Sequence, residues 1–412
     1  MVYVLPVDWG FFPLDRELEL LPGKLTPQGH EQLVRLSGWI PFERAVEVFA
    51  DFTGMKVAKI MAMNSTETAG AAYVQMQEEE VGEWERGKGQ EVSARADKIQ
   101  ISADGAMVPL RHGIWAEVRT LVVGEVQATR MKDGEREIHT RNLSYFSRKV
   151  SAQEFQRLAL VEFQRRGVEQ AQAVAAVMDG AEWEQGFVDF HCPQAIRILD
   201  FPHATEHLNV IGEFLHGEHT PQSQAWLKEQ SHRLKHEGPQ GLLRDLEKLQ
   251  RKHPQSEVLS SNLAYLKKRK QQMQYPLFQA QGWPIGSGAV ESGNKLVVEA
   301  RLKGAGMHWD ENNVNPMLAI RNILCSGRWK EDWPRIEARL RQQTRQRQRQ
   351  VHRLHHPIPP TTKVGRALLL GDFGPDIIEP PLQESPPSKP KKSPWRSFIH
   401  GKTLYQRLPP KI

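Results

Sequence analysis

The sequence predicts a mixed α/β protein: helices first, then a strand-rich domain broken by a long helical segment, then a basic, proline-rich tail. Three observations carry this. Apolar residues recur at helical spacing before about residue 80. Between residues 98 and 200 they fall in short runs, ordered β-β-β-α-β-(α)-β. Of the 27 prolines, 12 lie in residues 357–412, a composition that marks disorder or an extended linker rather than a core.

Composition sets the limits. The chain has 412 residues, which fits roughly two to four domains. With 39% hydrophobic and 25% charged residues, most of it can bury a core. No apolar run approaches the roughly 18–20 residues that span a bilayer. The start, MVYVLPVDWGFFPLD, lacks the basic and apolar regions of a signal peptide. Cys192 and Cys325 cannot make a disulfide framework, and no C-x-x-C suggests zinc. The expectation is a soluble, cytoplasmic protein without membrane partners. The net charge of +6 is uneven. Residues 335–412 carry 16 Lys+Arg and 5 Asp+Glu, a balance of +11, and residues 1–334 carry 39 and 44, a balance of −5. An acidic body with a basic tail differs from a protein that coats nucleic acid throughout.

The first elements are helices. Ala45, Val46, Phe49 and Phe52 share one helical face, and Gly54 is a natural stop. A second helix is expected from about Val57 to Ala69. Helix, glycine turn, helix is the pattern of a helix-turn-helix, with Lys59, Asn64 and Thr66 on the second helix, and equally of an ordinary helical hairpin. Residues 78–97 are highly charged and read as a linker or solvated helix. Strands are expected at Lys98–Asp104, Ile114–Val126 and Glu137–Val150. Ser151-Ala-Gln-Glu154 resembles a capping box, and its helix ends near Gly167. Two further strands close on Asp179 and Asp200. From about His203 to Gln279 the chain is polar and helical, with Trp226, Leu227, Leu234, Leu242, Leu243, Leu246 and Leu249 in its apolar stripe. Gly282-Trp-Pro ends it, and Ile285-Gly-Ser-Gly leads into a helix running to about Leu302. The domains expected are 1–80, a helical region with a candidate DNA-reading helix; 81–97, a linker; 98–202 with 283–334, the α/β domain; 203–282, a helical insertion; and 335–412, the tail.

Three carboxylates stand out by position. Asp104 and Asp179 are read as ending strands, and Glu291 lies in the first turn of a late helix, at separations of 75 and 112 residues. Ligands of open sheets gather at the carboxyl ends of strands. Three strands, a helix and two more strands is the order of an RNase H-like domain, where acids from the first and fourth strands and a later helix converge. Such oxygen donors suit Mg²⁺, and two ions can clamp the attacking and leaving oxygens of a phosphoryl displacement. Taken singly, Asp104-Gly105 and Asp179-Gly180 are also ordinary turn dipeptides.

The segments ISADGAMVPL, AVMDGAEWEQGF, ILDFPHATEHL and GWPIGSGAVESGNKLVVEARLKGAGMHWD resemble bacterial insertion-sequence transposases of the DDE type. They are similar in particular to the Kra-type family, which is related to the Mutator-like superfamily. The resemblance spans roughly residues 10–335. It implies Asp104, Asp179 and Glu291 as catalytic and metal-binding acids. It also implies a supporting pair, Asp200 and His203, although Asp200 competes with Asp179 because both close a strand. The activity it implies is Mg²⁺-dependent cleavage and strand transfer at double-stranded transposon ends, with two ions and Mn²⁺ able to substitute, by a homo-oligomer in a bacterial cytoplasm.

Other motifs have plainer readings beside a functional one. Lys295, Arg301, Lys303 and Arg321 can contact DNA phosphates, or Lys295 can simply pair with Glu291 at i+4. Trp283 and Trp309 fit packing. His203-Ala-Thr-Glu206-His207 matches an inverted zinc-protease string, which leaves the three acids unexplained. The glycine loop lacks the Gly-Lys-Ser/Thr of a P-loop. The rival functions are a non-catalytic DNA-binding transposase derivative and a general RNase H-like nuclease.

Overall fold

The computed structural model describes residues 25–89, 96–130 and 136–355. Contacts divide the chain into two units, Gln32–Asp332 and a second made of Met1–Glu31 with Trp333–Ile412. The sheet and the elements packed on it belong to the first unit.

The sheet has five strands, β1 (Lys98–Pro109), β2 (Trp115–Arg130), β3 (Arg136–Arg148), β4 (Ala173–Met178) and β5 (Ile196–Leu199), in the order β3-β2-β1-β4-β5. The first three form an antiparallel meander, and β4 and β5 join parallel to β1. Alternation assigns the faces. Ile99, Ile101 and Ala103 point to one side, where Phe146, Phe155, Phe163 and Phe187 fill a core. Burying each of these aromatic rings contributes about 1.5–3 kcal/mol. The helices on that side are α4 (Ala152–Leu158), α5 (Leu160–Arg165) and α6 (Glu182–His191). Ser151 caps α4 as its motif predicts, accepting the Glu154 N–H at 3.2 Å.

The opposite face is covered in two parts. Ala175, Val177 and Ile198 pack on the helical segment α7 (Phe201–His216), α8 (Pro221–Glu237), α9 (Pro239–Lys252), α10 (Glu257–Lys268) and α11 (Tyr275–Ala280). Of the expected stripe, Leu234, Leu242, Leu243 and Leu246 are buried there, and Trp226, Leu227 and Leu249 pack against them partly buried. Val108, Val118 and Val122 pack instead on Val297, Leu302, Met317 and Leu318. These come from the late helical run, α12 (Gly288–Gly293), a π-helical turn (Asn294–Glu299) and α13 (Ala300–Leu302), and from α14 (Glu311–Cys325).

Two expectations about the N-terminal region need correction. Helix α1 (Pro27–Trp39) precedes the expected pair, α2 (Phe42–Thr53) and α3 (Lys59–Glu85); α2 is ended by a left-handed Gly54 as expected, but only its Ala45 and Phe49 are buried, and Phe52 in its last turn is 86% exposed. The second of the pair runs from Lys59 to Glu85, well past Ala69 and through the start of the supposed linker, with Val81 in the sheet's core. Of its three candidate reading residues, Lys59 and Asn64 are exposed and Thr66 is buried. Ala62, Thr66, Ala69 and Gly70 are buried in it, and a Cβ at Gly70 would stand 2.1 Å from the Pro316 carbonyl oxygen of α14. Its small residues allow that approach, so Thr66 is a packing residue rather than a base contact. Residues 90–95 of the expected linker lie outside the described residues.

In the second unit, Trp333 continues the helix Trp329–His355, which carries Arg339, Arg341, Arg345 and Arg347 as its polar sequence predicts. The rest of the proline-rich tail lies outside the described residues. Among the described residues no helix is long and apolar enough to cross a membrane.

Candidate metal centre

Asp104 does not end its strand. It lies inside β1, whose pairing with β2 continues through Gly105↔Arg119 to Pro109↔Trp115. Gly105 is therefore no turn residue. A Cβ there would meet the Glu117 carboxylate at 2.5 Å, so glycine permits a close cross-strand approach. Asp104 follows Gln100 and Ser102 in the alternation and faces the side covered by the late helices.

The β1–β4 ladder explains why Asp179 is its neighbour. Lys98 pairs with Ala173 and Ile101 with Ala176. That register is an offset of 75 residues, the same separation that parts Asp104 from Asp179. Extending the parallel register three residues brings the two acids abreast, just past the end of β4. One carboxylate oxygen from each, together with one from Glu184, lie within 4.8 Å of one another.

Glu184 is the member that sequence reasoning misses. It sits in the first turn of α6, is 1% exposed, and accepts the Gly180 N–H at 3.0 Å. Its place five residues after Asp179, in the helix that the Asp-Gly turn opens, is the available signal. Burial, then a hydrogen bond and the charge of Asp179, push its carboxyl up to about 10. Burial also raises Asp104, against the Gly105 N–H it accepts at 2.6 Å; Asp179 and Glu291 add charge, and the Asn294 amide opposes them.

Glu291 stands apart from this group. It lies in the first turn of α12 as expected, but it is exposed and is not one of the three clustered acids. The late helix instead supplies Asn294, whose Nδ2 donates to Asp104 Oδ2 at 2.9 Å. Asn294 is 6% exposed, and its Oδ1 has no hydrogen-bond partner. It begins the π-helical turn, an irregularity found often at functional sites. One residue earlier, Gly293 lets the helix lie close against the sheet, since a Cβ there would stand 2.9 Å from Val122.

Asp200 is occupied by structure. Its Oδ2 accepts the His203 N–H at 3.0 Å and caps α7, and its Oδ1 accepts the Ser287 N–H at 2.6 Å. It thus ties the insertion's first helix to the glycine loop that precedes Glu291. His203 pairs with Glu206 at 3.3 Å. His207 bonds to Asn262 and stacks on Tyr265 at 3.9 Å, so the H-x-x-E-H string forms no three-ligand group among the described residues. A cleft of about 500 Å³ opens beside Asp179, lined by Gly180, Glu182, His203, Tyr265 and Lys268.

No protein-family model matches the chain, and no curated protein matches it.

The four cations proposed for DNA divide sharply. Arg321 is 1% exposed and donates to the carbonyls of Gly38, Val297 and Leu296. Arg301 is 2% exposed, donates to the Ser37 carbonyl, and lies over the rings of Phe42 and Trp309. Both hold helices together, and neither guanidinium can reach a phosphate. Lys303 pairs with Glu299 at 2.7 Å, and Lys295 is exposed. Trp283 and Trp309 are core residues.

All the donors at the centre are oxygens, from Asp104, Asp179 and Glu184, with the unpartnered Asn294 oxygen beside them. That set fits a hard divalent cation such as Mg²⁺ or Mn²⁺.

Proposed function

We propose that the chain is a DNA transposase that cuts and joins DNA strands with the help of divalent cations held by Asp104 and Asp179. The observation that carries this reading is the pair of acids brought abreast on adjacent parallel strands, with a third carboxyl against them. The strand order, an antiparallel meander followed by two parallel strands, supports an RNase H-like catalytic domain. The motif resemblance supports the choice of reaction.

Each acid takes a different role. Asp104 and Asp179 are the principal ligands, and Glu184 stands against them as a third carboxyl. Glu291, exposed one turn before Asn294, is the acid that approaches from the DNA side. Asn294 holds Asp104 in one orientation. A bound Mg²⁺ or Mn²⁺ supplies Lewis acidity, lowering the pKa of a bound oxygen nucleophile and stabilising the charge that develops in phosphoryl transfer. Lys295, and the arginines of the C-terminal helix with the tail beyond it, provide phosphate contacts, and the protein works as a homo-oligomer on double-stranded ends and target.

The test uses the full chain with Mg²⁺ and the DNA that flanks its own reading frame. End cleavage followed by a joined product is expected. Cleavage without joining would make it a nuclease, and binding without any metal-dependent product would make it a non-catalytic DNA-binding protein. Activity unchanged by Asp104→Asn would remove the site assignment.

A further inference from the structure

We propose that Tyr265 and Arg269 of the helical segment are positioning residues for Asp179, so that this segment sets the geometry of the metal centre as well as covering the sheet. The inference rests on the metal-binding reading of Asp104 and Asp179.

Four backbone groups of the Asp179-Gly180-Ala181 turn are held by side chains. The Ala181 N–H donates to Asp179 Oδ1 at 2.9 Å, and the Gly180 N–H to Glu184 at 3.0 Å. The two carbonyls go elsewhere. Tyr265 Oη donates to the Asp179 carbonyl. Arg269 donates through Nε to the Gly180 carbonyl at 3.0 Å and through a second nitrogen to the same oxygen. These partners lie 86 and 89 residues along the chain, at the end of α10.

The grip is itself braced. The Arg269 guanidinium stands 4.0 Å over one side of the Tyr265 ring, and the His207 ring stacks on it at 3.9 Å, 19° from parallel. His207 is fixed by Asn262 at 2.7 Å. Arg269 is only 5% exposed, and no carboxylate is bonded to it more closely than Glu182 at 3.5 Å. A buried guanidinium spent on one backbone carbonyl is costly unless the position of that carbonyl matters. Gly180 completes the fit. Its φ is +87°, and a Cβ there would stand 2.4 Å from Arg269 Nε and 2.8 Å from Tyr265 Oη. Any other residue would be strained and would push the grip away. A plain turn needs none of this. A turn that must aim a carboxylate at a metal does, because groups behind the ligand fix its direction.

The test reads both metal binding and turn rigidity in the full chain. Tyr265→Phe keeps the stacked ring and deletes only the hydroxyl. It should weaken Mn²⁺ binding by about tenfold in titration calorimetry, the usual scale for groups behind a ligand. Amide exchange across Asp179–Ala181 should quicken in the metal-free protein, with little change in global unfolding. In an Asp179→Asn background the same change should have no further effect on Mn²⁺ binding. If cleavage also occurs, its kcat should fall with DNA KM unchanged. Arg269→Lys, which keeps the charge and loses the two-nitrogen grip, should behave alike. Unchanged Mn²⁺ affinity and unchanged exchange in both variants would overturn the proposal. Absence of DNA cleavage with these binding effects intact would refute the transposase reading and leave the positioning role standing.

Discussion

Two groups of carboxylates in the same unit, one buried and one only partly buried, are treated in opposite ways. Glu162 is fully buried and receives both ends of Arg328, at 3.1 and 2.7 Å. Asp332, 1% exposed, receives both ends of Arg165, at 3.0 and 2.9 Å. Burial works against Asp332, yet the Arg165 hydrogen bonds and charge hold its carboxyl below the usual range. At the sheet, Asp104, Asp179 and Glu184 crowd together with no guanidinium bonded to their carboxylates among the described residues, and Asp104 and Glu184 are raised. The first group is complete as it stands. The second gathers negative charge that a cation would relieve. Counting buried acids does not separate a structural network from a reactive centre; asking what neutralises each one does.

That contrast can be broken at either end. Arg328→Ala should leave Glu162 buried and unpaired, costing about 3–5 kcal/mol of stability in denaturant titration. Asp104→Asn should do the reverse. It removes one of two repelling charges, so the metal-free protein should unfold no earlier than wild type while Mg²⁺-dependent DNA cleavage falls by about 10³-fold, as for a lost catalytic group. A smaller effect belongs to pH. His191 is buried beside Phe163, 4.2 Å away, and burial lowers its pKa to about 3. The folded state keeps it neutral while the unfolded chain takes a proton below pH 6.5. Stability should therefore drop as pH falls from 7 toward 3, by about 2 kcal/mol between pH 7 and 5, and His191→Gln should flatten that slope. The smallest effect is expected at the surface. Lys295→Ala should lower DNA affinity a few-fold and reduce the salt slope by about one, whereas Arg321→Met should lower the unfolding midpoint and leave the salt slope alone.

The strands are legible because their alternation is regular, and the 75-residue separation of Asp104 from Asp179 carries the parallel register without announcing it. What stays hidden depends on partners distant in sequence. Asp104-Gly105 looks like a turn until Arg119 is seen paired across from Gly105. Arg301 and Arg321 look like DNA contacts because a sequence shows charge and conceals burial; their acceptors, Ser37 and Gly38, lie more than 260 residues away. The helix Lys59–Glu85 looks like a short reading helix because its buried face as far as Ala72 is made of Ala, Ser, Thr and Gly, which give little apolar signal. Glu184 and Asn294 escape because only the folded sheet brings them to Asp104 and Asp179.

The most direct test is thermal unfolding of the full chain with and without millimolar Mg²⁺, in wild type and in Asp104→Asn. A cation bound only by the folded centre raises the midpoint in proportion to its occupancy. The expected result is a clear rise in wild type that disappears in the variant. A wild-type midpoint indifferent to Mg²⁺, or an equal rise in both proteins, would contradict the metal centre at Asp104 and Asp179.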